Sequence, residues 1–173
     1  MKRIMIDTNV YEFILKYIER DILENVLLKK STIFYGSSII RKELRDIPKL
    51  KREMINGKFK GLRHVLLELY DLIVGKHHYQ ITKQMEELAD KYFTVYKEIG
   101  GFASKKDIID DFKIVACASL NKLDILVTED TKTMISDNSI KSYKSVNQLL
   151  GFKTPKFIKF KEFKNDLRGG NLD

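Results

Sequence analysis

The sequence has little cysteine and no long apolar run. Cys117 is the single cysteine among 173 residues. One cysteine excludes an intramolecular disulfide, and no Cys and His residues stand at the spacing of a zinc site. No apolar run approaches the ~20 residues that a membrane helix needs, and no secretory leader precedes Met5. We therefore expect a cytoplasmic protein with no membrane contact, whose fold rests on a hydrophobic core.

Acidic residues are outnumbered by basic ones. The chain has 32 Lys and Arg against 24 Asp and Glu, which gives a formal net charge of +8. A surplus of this size favours an anionic partner, with nucleic acid as the first candidate and an acidic protein as the second. A solvated, lysine-rich surface is the alternative, because net charge alone does not define a binding site.

Short apolar runs alternate with amphipathic segments along the chain. Residues 4–6, 32–35 and 125–127 have the apolar character of buried strands. Between these runs, apolar side chains recur every three to four residues, as they do in helices. Strands separated by helices predict an α/β fold with a parallel sheet that helices cover on both faces. We expect one domain, because the sequence has neither an internal repeat nor a low-complexity linker.

Four acids occupy unusual positions in this pattern. Asp7 and Asp130 each stand just past the end of an apolar strand. Glu43 and Asp111 each lie on the apolar side of a helix, where an uncompensated charge is costly to bury. The functional site of a parallel α/β sheet gathers beyond the carboxyl ends of its strands. The four acids are therefore expected to converge at that edge.

Taken singly, these acids have ordinary structural interpretations. Asp7 can cap a helix, Glu43 can be a surface acid, and Asp130 can form a turn. Asp110 adjoins Asp111, so the third acid of the site can be either of the two. The combination of all four is harder to explain by structure alone.

Carboxylates that crowd together repel one another, and their pKa values rise unless cations lie between them. Hard divalent cations with oxygen ligands, Mg²⁺ or Mn²⁺, suit this donor set. Such ions make water a better nucleophile and neutralise charge on a phosphate under attack. Acids within a basic surface therefore predict a nuclease, in which Lys and Arg hold the phosphate backbone.

Four stretches, in order, resemble the motifs of the PIN-domain family of ribonucleases. Met5-Ile-Asp-Thr-Asn9 is similar to the family's opening strand, and Ser38-Ile-Ile-Arg-Lys-Glu-Leu44 is similar to its second motif. The stretch 111–118, an Asp followed by an apolar, alanine-rich helix, resembles the third motif. Leu126-Val-Thr-Glu-Asp130 resembles the fourth. The resemblance covers nearly the whole chain, from Met1 to about Leu150.

The resemblance implies a PIN-like three-layer α/β/α sandwich with a central parallel sheet of about four to five strands. It also implies an endoribonuclease that depends on Mg²⁺ or Mn²⁺ and is commonly a homodimer. Members of the family include toxins of toxin–antitoxin pairs (the VapC type), whose partner is an antitoxin protein, and RNA-processing nucleases. Carried over by position, the implied metal ligands and catalytic residues are Asp7, Glu43, Asp111 and Asp130, with Asp110 as the alternative third ligand. The implied supporting groups, which orient carboxylates or waters, are Thr8, Asn9 and Thr128.

The resemblance places a nuclease domain at residues 1–150. Within it, residues 49–103 are expected to form an extended helical segment, which is long for a compact toxin. Residues 151–173 are expected to form a basic C-terminal strand, over 157–163, and a tail rather than a separate domain.

Basic residues lie on both sides of Glu43 in the sequence and predict an RNA-binding face beside the acids. The predicted RNA-binding residues are Arg41, Lys42, Arg45, Lys49, Lys51 and Arg52. Phe59, Phe157 and Phe160 could stack on bases, although core or interface packing is the commoner fate of phenylalanine.

Two other functions remain open at the level of sequence. A catalytically inactive PIN-like domain could bind RNA or protein through the same surface. A receiver-like phosphotransfer domain also places acids at strand ends, but it needs paired acids after the first strand, where this sequence has only Asp7.

Overall fold

The computed structural model describes residues 1–29, 31–55 and 57–169. The elements are, in chain order, β1 (Lys2–Ile6), α1 (Thr8–Tyr17), α2 (Arg20–Leu28), β2 (Thr32–Ser37), α3 (Ser38–Asp46), β3 (Arg52–Ile55), β4 (Lys58–Gly61), α4 (Leu62–Val74), β5 (His78–Tyr79), α5 (Lys83–Glu98), α6 (Lys105–Leu120), β6 (Ile125–Val127), α7 (Asp137–Leu150), β7 (Lys156–Ile158) and α8 (Phe160–Gly169). None of the described helices has the length and apolar character needed to cross a membrane.

Five parallel strands form the central sheet in the order β5-β2-β1-β6-β7. The first strand lies in the middle, and its Met5 stands opposite Tyr35 of β2 and Leu126 of β6. Residues Ile4, Met5 and Ile6 are buried, as expected for a central parallel strand covered on both faces. The predicted α/β fold with a parallel sheet is confirmed.

Helix α6 is the most deeply buried of the long helices that position the candidate site. Its residues from Ile114 to Ala118 have no exposed surface. Edge-to-face ring contacts join it to α5 and α7, with ring centroids 6.3 Å apart for Tyr92–Phe112 and 5.2 Å apart for Phe112–Tyr143. This packing fixes the helix and therefore the direction in which its first turns point.

The segment 49–103 is only partly helical. The antiparallel hairpin β3–β4 occupies its first part, with Met54 paired to Phe59, and the short strand β5 extends the main sheet beside β2. The helical part of the segment consists of α4 and α5. The helical segment expected within 49–103 therefore corresponds to α4 and α5, whereas the hairpin was not expected.

The predicted strand over 157–163 is also shorter than expected. Only Lys156–Ile158 is a strand, parallel to β6, and helix α8 begins at Phe160. Phe160, Phe163 and Leu167 are buried at a helical spacing of three and four residues, and this burial favours the helix. Residues 170–173 of the predicted tail lie outside the described part of the chain.

Candidate active site

Asp7 is buried at the junction of β1 and α1, with 5% of its surface exposed. Its carboxylate accepts hydrogen bonds of 2.7 Å from the Thr8 backbone N–H, the Asn9 Nδ2 and the Thr128 Oγ1. The Asp7 N–H donates to the Val127 carbonyl at 2.9 Å, which ties the ends of β1 and β6 together. Asp7 thus caps α1, as the structural interpretation proposed, and also lies at the carboxyl edge of the sheet.

Glu43 extends from α3 to the same edge. The Thr8 hydroxyl donates a hydrogen bond to Glu43 Oε2. Burial raises the pKa of Glu43 to about 6; the Thr8 hydrogen bond opposes this rise, and the negative charges of Asp7 and Asp110 add to it. Glu43 is therefore a half-buried acid of the site rather than a surface acid.

Asp111 and Asp130 meet through Thr133. The Thr133 Oγ1 lies 2.5 Å from Asp111 Oδ2 and also contacts Asp130 Oδ2. The other Asp130 oxygen, Oδ1, accepts from the backbone N–H groups of Lys132 and Thr133, both at 2.9 Å. Asp130 therefore forms the turn that its sequence context indicated, and that turn places the Thr133 hydroxyl between the two acids.

The two acids joined by Thr133 have opposite pKa shifts. Burial raises the pKa of Asp111 to about 8; the Thr133 hydrogen bond opposes this, and the charges of Asp7, Asp130 and Glu43 add to it. Burial also acts to raise the pKa of Asp130, but hydrogen bonds from the Thr133 hydroxyl and from nearby backbone amides outweigh it and leave that pKa below its ordinary value. Burial raises the pKa of Asp7 as well, against its hydrogen bonds. Burial is the main cause of the three raised pKa values and repulsion between the acids is a smaller one; perturbed carboxylates of this kind are common at functional sites.

Asp110 points away from this group. It is exposed and forms an ion pair with Lys113, with 3.1 Å between Asp110 Oδ1 and Lys113 Nζ. Its charge still reaches Glu43, whose pKa it helps to raise. Of the two neighbouring acids, Asp111 is the one that contacts the other members of the site.

The residues that follow the strands support the acids. Thr128 is buried, and its Oγ1 donates to Asp7 and accepts from the Asp130 N–H at 3.0 Å. The Asn9 side chain links Asp7 to the loop, because its Oδ1 accepts from the Glu129 N–H at 3.1 Å. Thr8, Asn9 and Thr128 thus each donate a side-chain hydrogen bond to a carboxylate of this group.

Two contacts of this region were not anticipated from sequence. Thr133 was missed, although an Asp followed at three residues by Thr is a common turn pattern that could have indicated it. Glu129 points neither to solvent nor to the acids, because its Oε1 accepts a 2.7 Å hydrogen bond from the Phe160 N–H at the start of α8.

The donor set suits Mg²⁺ or Mn²⁺ by chemical type, since it consists of carboxylate and hydroxyl oxygens. Within residues 1–29, 31–55 and 57–169, no three His, Cys, Asp or Glu side chains are close enough together to form a ready-made metal shell. Mg²⁺ usually takes one or two carboxylates and keeps several waters, so pairs of acids meet its requirement. The residues present therefore fit such an ion without a preformed protein cage.

Three of the predicted RNA-binding residues are engaged in surface ion pairs. Arg41 pairs with Asp71 at 3.1 Å, Lys42 pairs with Asp46 at 2.7 Å, and Lys51 binds Glu12 at 2.9 Å. Exposed ion pairs of this kind are weak, so a phosphate can replace the acid. The other predicted residues of this set, all exposed, are Arg45, Lys49 and Arg52.

No protein-family model matches the chain, and comparison with curated proteins finds no significant relative. Among solved structures, the fold is similar to that of a chain in the structure of VapBC2 from Rickettsia felis bound to a promoter DNA fragment. The TM-score is 0.56 and the sequence identity is 15%. The match covers 91% of this chain and 98% of the Rickettsia felis chain. A chain of VapBC-1 from nontypeable Haemophilus influenzae gives a TM-score of 0.54 at 17% sequence identity. This match covers 92% of this chain and 98% of the Haemophilus influenzae chain. A chain of FitAcB from Neisseria gonorrhoeae gives a TM-score of 0.52 at 20% sequence identity. This match covers 79% of this chain and 93% of the Neisseria gonorrhoeae chain. These likenesses confirm the PIN-like three-layer fold.

Proposed function

We propose that this protein is an endoribonuclease that hydrolyses RNA phosphodiester bonds with the help of Mg²⁺ or Mn²⁺. One observation supports the proposal: two pairs of acids at the carboxyl edge of the sheet are bridged by threonines, with Asp7 and Glu43 both accepting from Thr8 and Asp111 and Asp130 both contacting the Thr133 hydroxyl. Three of these acids have raised pKa values, which is the behaviour of carboxylates that await a cation. The overall positive charge of the chain suits a polyanionic substrate.

In the proposed site, the ion would be held by Asp7, Glu43, Asp111 and Asp130. When bound, a divalent ion supplies a water of lowered pKa and neutralises charge on the attacked phosphate. Thr8, Thr128 and Thr133 hold the carboxylates in fixed orientations through their hydroxyls. The basic residues that follow Glu43 hold the RNA backbone beside the acids.

The partner proposed for this nuclease is an antitoxin protein. The support is the fold, which is shared with chains of VapBC and FitAB assemblies, several of them bound to DNA. We further propose that the enzyme is a VapC-type toxin that works in the cytoplasm as a homodimer.

The deciding experiment is cleavage of an end-labelled RNA pool that contains both structured and single-stranded species. Wild-type protein, Asp111→Asn and Asp110→Asn are compared in Mn²⁺, in Mg²⁺ and in EDTA, with Asp21→Asn as a matched control at an exposed site on α2. We expect metal-dependent cleavage by the wild type and by the Asp21 and Asp110 variants, and none by Asp111→Asn. Cleavage in EDTA, or full activity of Asp111→Asn, would refute the proposed site.

A binding module without catalysis is the second candidate. Its support is that no three acidic, His or Cys side chains of the described residues form a ready-made metal shell. Salt-sensitive RNA binding by wild-type protein, without cleavage in either metal, would favour it.

A further inference from the structure

We propose that the hairpin β3–β4 is a single-stranded RNA-binding arm, on which Met54 and Phe59 form a stacking platform for bases. This inference rests on the proposed function, since it assigns the substrate class of the same site. It goes further by naming a surface that contacts bases rather than phosphates.

The outward face of the hairpin is apolar at its centre. Met54 and Phe59 are directly opposite each other in the antiparallel register, so their side chains share one face. Their exposed fractions are 54% and 68%. An exposed phenylalanine beside an exposed methionine gives a flat, adaptable surface of the kind that bases stack on.

The segment that carries this platform is rich in cations. Residues 49–63 contain six basic side chains and one acidic side chain, Glu53. The basic residues are Lys49, Lys51, Arg52, Lys58, Lys60 and Arg63. An apolar pair within a cationic segment is complementary to a polyanion that carries aromatic bases, and it is a poor match for a purely apolar protein surface.

The hairpin is attached to the helix that leads away from the acids. Thr8, Glu12 and Lys16 are four residues apart on α1 and therefore form one stripe. Thr8 contacts Glu43 in the candidate active site. Glu12 Oε1 binds Lys51 Nζ at 2.9 Å, and Lys16 Nζ lies 3.6 Å from Glu53 Oε2.

The distance between the acids and the point where the hairpin is attached follows from this stripe. Eight residues of helix span about 12 Å, at 1.5 Å per residue. The hairpin therefore lies one to two helical turns from the acids, on the same side of α1. A strand whose bases stack on the hairpin can place a phosphate at the acids only if it is unpaired, because bases in a duplex are already stacked and paired within it.

The test measures binding without cleavage, so its outcome is independent of nuclease activity. Fluorescence anisotropy in EDTA compares a labelled unstructured RNA with a labelled RNA duplex of equal length. Phe59→Ala is compared with Phe59→Trp, which keeps a stacking ring, and with Phe102→Ala, whose phenylalanine is 96% exposed in the α5–α6 connection.

We expect Phe59→Ala to weaken binding of the unstructured RNA roughly tenfold, with little change for the duplex. Phe59→Trp and Phe102→Ala should bind within about twofold of wild type. Unchanged binding by Phe59→Ala, or an equal loss with Phe102→Ala, would overturn the proposal. So would a Phe59→Ala protein that binds RNA normally but sediments as a smaller species, because the hairpin would then be a protein interface. If the wild type fails to cleave while Phe59→Ala still loses binding, the nuclease proposal fails and the arm stands.

Discussion

Asp111 and Asp130 share one hydroxyl, that of Thr133. A hydroxyl has a single proton to donate, so it cannot donate to both carboxylates at once. The opposite pKa shifts of the two acids resolve this conflict. Burial raises the pKa of Asp111 to about 8, whereas hydrogen bonds hold the pKa of Asp130 below its ordinary value, so at neutral pH Asp130 is the better acceptor of the single Thr133 proton.

Asp111→Asn should stabilise the protein in the absence of metal. Folding raises the pKa of Asp111 from its ordinary value of about 3.9 to about 8, so the folded state holds a proton that the unfolded chain releases at pH 7. Asparagine removes that cost and keeps a side-chain oxygen that can accept a hydrogen bond from Thr133. We expect Tm at pH 7 in EDTA to rise by about 3 °C or more, by calorimetry, while Asp21→Asn leaves it unchanged. A lower Tm for Asp111→Asn would show that the carboxyl group is not strained.

Stability of the wild-type protein should fall as pH rises from about 5 to 8. The pKa values of Glu43, about 6, and Asp111, about 8, are both raised in the folded state, so the folded state binds more protons than the unfolded state in this window. Urea unfolding in EDTA at pH 5 and pH 8 measures the difference, since one pKa unit corresponds to about 1.4 kcal/mol. The double variant Glu43→Gln, Asp111→Asn should lose most of this slope. If the unfolding free energy of both proteins changed equally with pH, groups other than Glu43 and Asp111 would be responsible.

Divalent metal should reverse the loss of stability that the wild-type protein shows at pH 8. A cation that binds the folded site and not the unfolded chain stabilises it in proportion to the logarithm of its concentration. Millimolar Mn²⁺ at pH 8 should raise the Tm of wild type by several degrees and that of Asp7→Asn by much less. An equal rise in both proteins would indicate ion binding away from the acids.

Thr133→Val should impair cleavage while it preserves the turn. Valine has nearly the volume of threonine, and the Thr133 backbone N–H that binds Asp130 remains. Without the hydroxyl, the two acids lose their link, and we expect kcat to fall about tenfold with a changed pH profile. Thr131→Val, at an exposed position two residues earlier, is the matched control. Equal activity of the two variants would contradict a positioning role for Thr133.

Much of the fold could be predicted from the sequence because its strands are short apolar runs that end on acids. The motif order then gave the convergence of Asp7 with Glu43 and Asp111. The hairpin could not be predicted, because β3 and β4 are short and have little buried surface to impose a pattern. Helix α8 was missed because the mixture of apolar and polar residues over 157–163 was interpreted as an alternating strand, whereas the spacing of Phe160, Phe163 and Leu167 is helical. Thr133 depends on the turn geometry after Asp130, which composition does not reveal.

The central position of β1 has a consequence for synthesis. Asp7 depends on Thr128 for a hydrogen bond that joins residues 121 positions apart. At ~5–20 residues per second, a ribosome adds Thr128 roughly 6 to 24 s after Asp7. During that interval the nascent chain contains Asp7, but it lacks the complete strand β6 and the Thr128 that follows it at the carboxyl edge of the central sheet. The candidate site is therefore assembled late in translation, once most of the polypeptide has emerged.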